Sequence, residues 1–144
     1  KDFMVDEYQF YEARAHGADV VLLIVAALSK YQLEDYYHLA KELGMRSLIE
    51  VHTYDELERA LEISPEIIGV NSRNLKTLDV DARAFSELIP QIPSTIARVA
   101  ESGISTREEV AFAQQCGATA ILVGEALVRS ESPSVAIDQL LGRL

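Results

Sequence analysis

One unit recurs along these 144 residues: a short apolar run, a polar turn, an amphipathic stretch and a brief return. The returns resemble one another: His16-Gly17-Ala18-Asp19, Leu43-Gly44-Met45-Arg46 and Cys116-Gly117-Ala118-Thr119. Each offers a helix a glycine on which to end, with the next apolar run following at once. Ile96 to Ser105 is the clearest copy of the turn. Apolar and small residues lead to Glu101 and Ser102, Gly103 permits a sharp bend, and Ser105 with Glu108 is expected to cap the next helix reciprocally. Apolar strands alternating with helices make a parallel sheet, because a parallel connection has to cross back over one face.

Taken in order, Lys1 to Val5 reads as a strand and Asp6 to His16 as a helix. Val20 to Val25 is almost purely apolar, as suits a strand buried on both faces. Ser29 and Gln32 form a capping box before a helix that carries Leu33, Tyr37 and Ala40 on one stripe. Ser47 to His52 is the next strand, with Leu48, Glu50 and His52 on one face. Thr53 and Glu56 are expected to cap the following helix, whose charged run Asp55 to Arg59 reads as a solvated face. Ile67 to Asn71 is a strand that ends in the polar loop Asn71-Ser72-Arg73-Asn74-Leu75. Asp81 can cap a helix that runs through Leu88, and Pro90 and Pro93 stop it. Thr119 to Val123 is the last strand, and Ser132-Pro133 starts the final helix.

Six such units fit, at about 24 residues each. The fold class is α/β, and a doubly wound open sheet and a (β/α)8 barrel are the two candidates. Different polar residues at successive strand ends favour the TIM barrel. A barrel needs eight strands, so the expected architecture is an incomplete TIM barrel, one partial domain over residues 1–144 with six of eight units present. A net charge of −10 argues against a nucleic-acid or anionic-membrane surface. No apolar run approaches the ~20 residues that span a bilayer. Cys116 is the only cysteine, which excludes an internal disulfide and fits a reducing, cytoplasmic setting. His16, His38 and His52 lack metal-ligand spacing, so no metal is expected.

Six segments then resemble one family in order and spacing: Lys1-Asp2-Phe3, Val21 to Val25, Leu48-Ile49-Glu50-Val51-His52, Gly69 to Leu75, Ala100-Glu101-Ser102-Gly103-Ile104 and Leu122 to Leu127. The chain resembles indole-3-glycerol phosphate synthase from its third barrel strand to its end. That family closes the ring of 1-(2-carboxyphenylamino)-1-deoxyribulose 5-phosphate, losing carbon dioxide and water, in tryptophan biosynthesis, and uses no cofactor. The resemblance implies that Lys1 is the general acid and that Glu50 transfers protons in the dehydration. It implies that Asn71 bonds the substrate near the reacting centre, with Arg73 and Glu101 beside it. Ser102, set among the catalytic residues, also holds the phosphate with Gly103, Gly124 and Glu125. Phe3, Leu22 and Ile24 wall the aromatic ring. The family's first-strand Glu-x-Lys motif has no counterpart in these residues.

Plainer readings stand beside these. Asn71 could only cap a loop, Arg73 could pair with an acid such as Asp79, and Glu101 could be an ion-pair partner. His52 reads as a solvated rim histidine. The rivals in function are another phosphate-binding barrel, such as phosphoribosylanthranilate isomerase, and a non-catalytic folding or assembly unit. A partial barrel exposes strand edges, so the isolated chain is expected to be inactive and to self-associate or need further strands.

Overall fold

The computed structural model describes residues 2–143. Its sheet has five parallel strands: β1 (Val20–Ile24), β2 (Arg46–Val51), β3 (Ile67–Asn71), β4 (Ala97–Glu101) and β5 (Ala120–Leu122). They lie side by side in chain order. The helices are α1 (Tyr8–Ala15), α2 (Lys30–Glu42), α3 (Tyr54–Glu62), α4 (Arg83–Leu88), α5 (Arg107–Gln115), α6 (Glu125–Arg129) and α7 (Pro133–Leu141). Sequential order with parallel crossovers brings each connection over the same face, since such crossovers share one hand. A doubly wound sheet reverses its order and covers both faces; this one does neither, and has the strand order of a TIM barrel.

Side-chain alternation makes the two faces different. Val21, Leu23, Ile49, Val51, Ile68, Val70 and Ala100 pack in one core with Leu33, Leu57, Ala60, Phe85 and Val110 from the helices. The residues between them, Leu22, Ile24, Leu48, Glu50, Gly69, Asn71, Val99 and Glu101, fall on the opposite, concave side. Register aligns them: Ile24 with Glu50, Glu50 with Gly69, and Asn71 with Glu101. Three carboxamide or carboxylate side chains therefore gather on three adjacent strands. Gly17, Gly44 and Gly117 have φ of 85°, 74° and 102°, so the three similar returns share one left-handed turn.

The sequence suggests a strand over Lys1 to Val5, and the structure differs. Lys1 lies outside the described residues, and residues 2–5 join no ladder. Their backbone is satisfied elsewhere. Gln9 Oε1 accepts from Val5 N and Asp6 N, Gln9 Nε2 donates to the Phe3 carbonyl, and Tyr36 donates to the Val5 carbonyl. A glutamine at the second position of α1 thus takes groups a strand partner would use, and five units rather than six carry strands among the described residues. The capping box of α5 is also displaced by one residue. Thr106 Oγ1 accepts from Glu109 N while Glu109 Oε2 accepts from Thr106 N and Ser105 N. Glu109 can serve both residues at once, which Glu108 in the expected pairing does not do.

Candidate functional site

The carboxyl ends of β2, β3 and β4 place two acids together. Glu50 and Glu101 are 3% and 4% exposed. Among the described residues Glu101 Oε1 has no hydrogen-bond partner, and it lies where a Cβ on Gly69 would be. Gly69 is the register partner of Glu50. The missing side chain on β3 is therefore what lets the β4 carboxylate lean across the strand towards β2. Burial, the Glu50 charge and a shared hydrogen bond raise the Glu101 carboxyl from 4.5 to about 8. Glu101 holds a proton at neutral pH while standing next to another acid.

His52 stands beside this pair and is not a solvated rim residue. Only 13% of its side chain is exposed. Nε2 is 3.2 Å from Glu50 Oε1, a charge contact too poorly angled to be a hydrogen bond. Nδ1 is 3.2 Å from Glu56 Oε2, and the same oxygen accepts from His52 N at 2.8 Å. Burial opposes a charge on the ring, but the two flanking glutamates outweigh it and raise His52 from 6.5 to about 9. Glu56 is held below its ordinary 4.5, because bonds from His52 and the His52 and Arg59 charges overcome the cost of burial. The run Asp55 to Arg59 is thus only partly solvated. Arg59 also turns inward, donating to the carbonyls of Leu28 and Val25 at 2.8 and 3.5 Å.

A second feature lies one and two strands further on. A cleft of about 720 Å³ is lined by Arg73, Ser102, Gly103, Gly124, Glu125 and Arg129, among others. Five of the residues singled out in the sequence therefore share one wall. Ser102 and Gly103 have φ of 67° and 64°, two successive left-handed residues. For a serine that conformation costs about 1 kcal/mol or more and has to be held by its surroundings. Ser72 does the holding: its amide donates to the Glu101 carbonyl at 3.0 Å, and its hydroxyl reaches the Glu101 and Ser102 carbonyls at 3.2 and 3.1 Å. Ser72 is buried and was not singled out, although it follows directly on Asn71. Arg73 pairs with Glu125 at 3.1 Å, not with Asp79, and Arg129 meets the other Glu125 oxygen at 3.1 Å. One carboxylate between two guanidiniums orients both arginines at the cleft, whose lining also includes Glu109.

The remaining expected residues divide. Asn71 is buried, and its Oδ1 accepts from Arg73 N at 2.9 Å, which turns the loop and orients Arg73. Ile24 is buried and Leu22 partly so, on the same side as Glu50. Phe3 is 53% exposed, and Gln9 Nε2 donates to its backbone carbonyl. The expected role of Lys1 lies outside the described residues.

Comparison with known proteins fits this arrangement. A family model described as indole-3-glycerol phosphate synthase matches residues 1–140. The indole-3-glycerol phosphate synthase of Kineococcus radiotolerans is 52% identical over 141 residues, covering 98% of this chain and 52% of that protein. That of Paenarthrobacter aurescens is 55% identical over 139 residues, covering 96% and 51%. The chain spans about half the length of these curated relatives. A solved structure described as native KDPGal is similar in fold alone, with a TM-score of 0.66 at 20% identity over 95% of this chain and 62% of that one.

Proposed function

The chain belongs to the indole-3-glycerol phosphate synthase family, and we propose that its strand ends form one side of an active site that makes indole-3-glycerol phosphate. The substrate is 1-(2-carboxyphenylamino)-1-deoxyribulose 5-phosphate, and the products besides the indole are carbon dioxide and water. The observation that carries this reading is the placing of a buried acid pair and a cleft holding two arginines and two successive left-handed residues at the ends of neighbouring parallel strands. Ring closure and dehydration need one group that gives a proton and one that takes it. Glu101, protonated at neutral pH, and Glu50 beside it are suited to those two parts. Lys1 is the general acid for the carbonyl oxygen, by the family resemblance.

The phosphate binds in the cleft of Ser102, Gly103, Gly124 and Glu125, with Arg73 turned from Glu125 towards it. Two successive left-handed residues bring backbone N–H groups round to face an anion, and glycine lets it approach closely. Phosphate binding away from the reacting atoms positions the aromatic ring. Leu22 and Ile24 flank that ring, and Phe3 joins them only on moving from its exposed position. The protein is assigned to the cytoplasm, and among the described residues no helix is long and apolar enough to cross a membrane.

β1 and β5 are the outer strands, and Val20 and Leu122 on them are each 48% exposed. These edges accept the further strands of a barrel, or a second copy in their place, and the 144 residues alone turn over no substrate. The test is to graft residues 1–144 in place of the matching half of the Kineococcus radiotolerans enzyme. Formation of indole-3-glycerol phosphate by the graft, and its absence with the isolated chain, is the expected result. A soluble, folded graft without activity would overturn the assignment.

A further inference from the structure

We propose that Glu56, His52 and Glu50 form a positioning chain, in which Glu56 on the first turn of α3 fixes the His52 ring so that its far nitrogen faces Glu50. This rests on the reading of Glu50 as a proton-transfer group, but it concerns His52 and Glu56, to which nothing above gives a part in the reaction. The geometry is that of a relay of orientation. Glu56 grips the His52 backbone and Nδ1 with one oxygen, at 2.8 and 3.2 Å. That double hold fixes the ring plane and leaves Nε2 3.2 Å from Glu50 Oε1. Glu56 is itself fixed, because its own amide donates to Thr53 Oγ1 at 3.3 Å.

The helix cap explains why this arrangement is more than packing. At the starts of α2 and α5, the side chain three residues into the helix returns to the cap residue: Gln32 to Ser29 N, and Glu109 to Thr106 N. At α3 the same position, Glu56, passes over Thr53 and bonds His52 instead. The usual reciprocal cap is given up, and the acid is redirected to the histidine. Among the described residues, the charges in contact with that ring are acidic. Glu50 on β2 and Glu56 on α3 favour a cation there, Arg59 acts on Glu56, and Glu101 on β4 feels the His52 charge. Lys76, Asp81 and Glu87 share with His52 and Glu56 the lining of one cleft. A fixed imidazolium beside the acid pair opposes the rise of the Glu101 carboxyl.

The test uses nuclear magnetic resonance titration of the 144-residue chain and needs no turnover, so its failure is separate from failure of the proposed reaction. The His52 ring signal is identified by its loss in His52→Asn. In the unmodified chain it should titrate near 9. Glu56→Gln keeps an oxygen that can accept from His52 N, and so keeps the helix start, but removes the charge. It should lower the His52 midpoint by about one pH unit or more. In His52→Asn the Glu101 carboxyl midpoint should rise by about half a unit or more, because the nearby cation is gone. A histidine that serves only packing would leave Glu101 unmoved. A His52 midpoint near 6.5, no response to Glu56→Gln, or an unmoved Glu101 would each overturn the proposal. If His52→Asn does not fold, the Glu56→Gln titration decides alone.

Discussion

Gly69→Ala separates the acid pair without touching either acid. A Cβ at residue 69 would stand 1.7 Å from Glu101 Oε1 and 3.1 Å from Leu48 Cδ1. Ordinary contact begins near 3.5 Å, so the carboxylate has to retreat by about 2 Å. The backbone itself raises no objection: residue 69 is in a regular strand with no left-handed φ, and alanine there gains about 0.5–1 kcal/mol in chain entropy. Crowding a packed interior costs about 1–3 kcal/mol. The net effect is a modest loss, about 1–2 kcal/mol. The larger effect is on titration. Moved off β3, Glu101 loses contact with Glu50 and part of its burial, the two main reasons it titrates near 8. Its midpoint should fall by about 2 units towards the ordinary range. Carbon-13 spectra of labelled glutamate carboxyls across pH 3–10 measure this, and urea unfolding at pH 7 measures the stability change. A Glu101 midpoint still near 8 in Gly69→Ala would refute the cradle argument. A stability loss above about 4 kcal/mol would assign Gly69 to the fold and not to the pair.

Stability should fall as pH rises from about 5 to 9. Glu101, raised from 4.5 to about 8, contributes fully below 4.5 and loses that contribution as pH climbs through 8; His52, raised from 6.5 to about 9, loses its own as pH climbs through 9. Glu56, lowered from 4.5, acts in the opposite sense and costs stability only in acid. Urea midpoints across this range should therefore be highest on the acid side and lowest near pH 9, and a flat or rising profile would contradict the buried cluster. Thr106→Ala removes the side-chain oxygen that accepts from Glu109 N and should cost about 1 kcal/mol in the same assay, leaving the Glu101 midpoint unchanged.

The parallel α/β fold was legible because two local signals agree. Apolar runs define the strands, and Gly17, Gly44 and Gly117 mark where the helices end. The sequential strand order that chooses barrel over doubly wound sheet was inferred from polar residues at strand ends, and the structure has that order. The first segment misled because periodicity reports which side chains are apolar, not what the backbone bonds to. Nothing in the segment announces that Gln9 will take the Val5 N–H and the Phe3 carbonyl.

Within the candidate site, residues adjacent in sequence to a turn were easy to find, and those acting across strands were not. Arg73, Ser102, Gly103, Gly124 and Glu125 come from two recognisable turns and the polar loop after β3. The pairing of Arg73 with Glu125 spans 52 residues and leaves no local trace. His52 and Glu56 left no such signal: the Thr53–Glu56 spacing reads as an ordinary reciprocal cap, and only the structure shows Glu56 bonded to His52 instead. Gly69 read as one more small residue in an apolar strand. Its role depends on a side chain from the neighbouring strand, which only register reveals.

The most direct test of the account is Glu50→Gln in the grafted enzyme, with the rate of indole-3-glycerol phosphate formation measured against substrate concentration. Glutamine keeps the shape and removes the proton acceptor. The account predicts a fall in kcat of about 10²–10⁴-fold with KM little changed, since phosphate binding at the distant cleft is untouched. An unchanged kcat, or a loss confined to KM, would contradict the placing of Glu50 at the reacting centre.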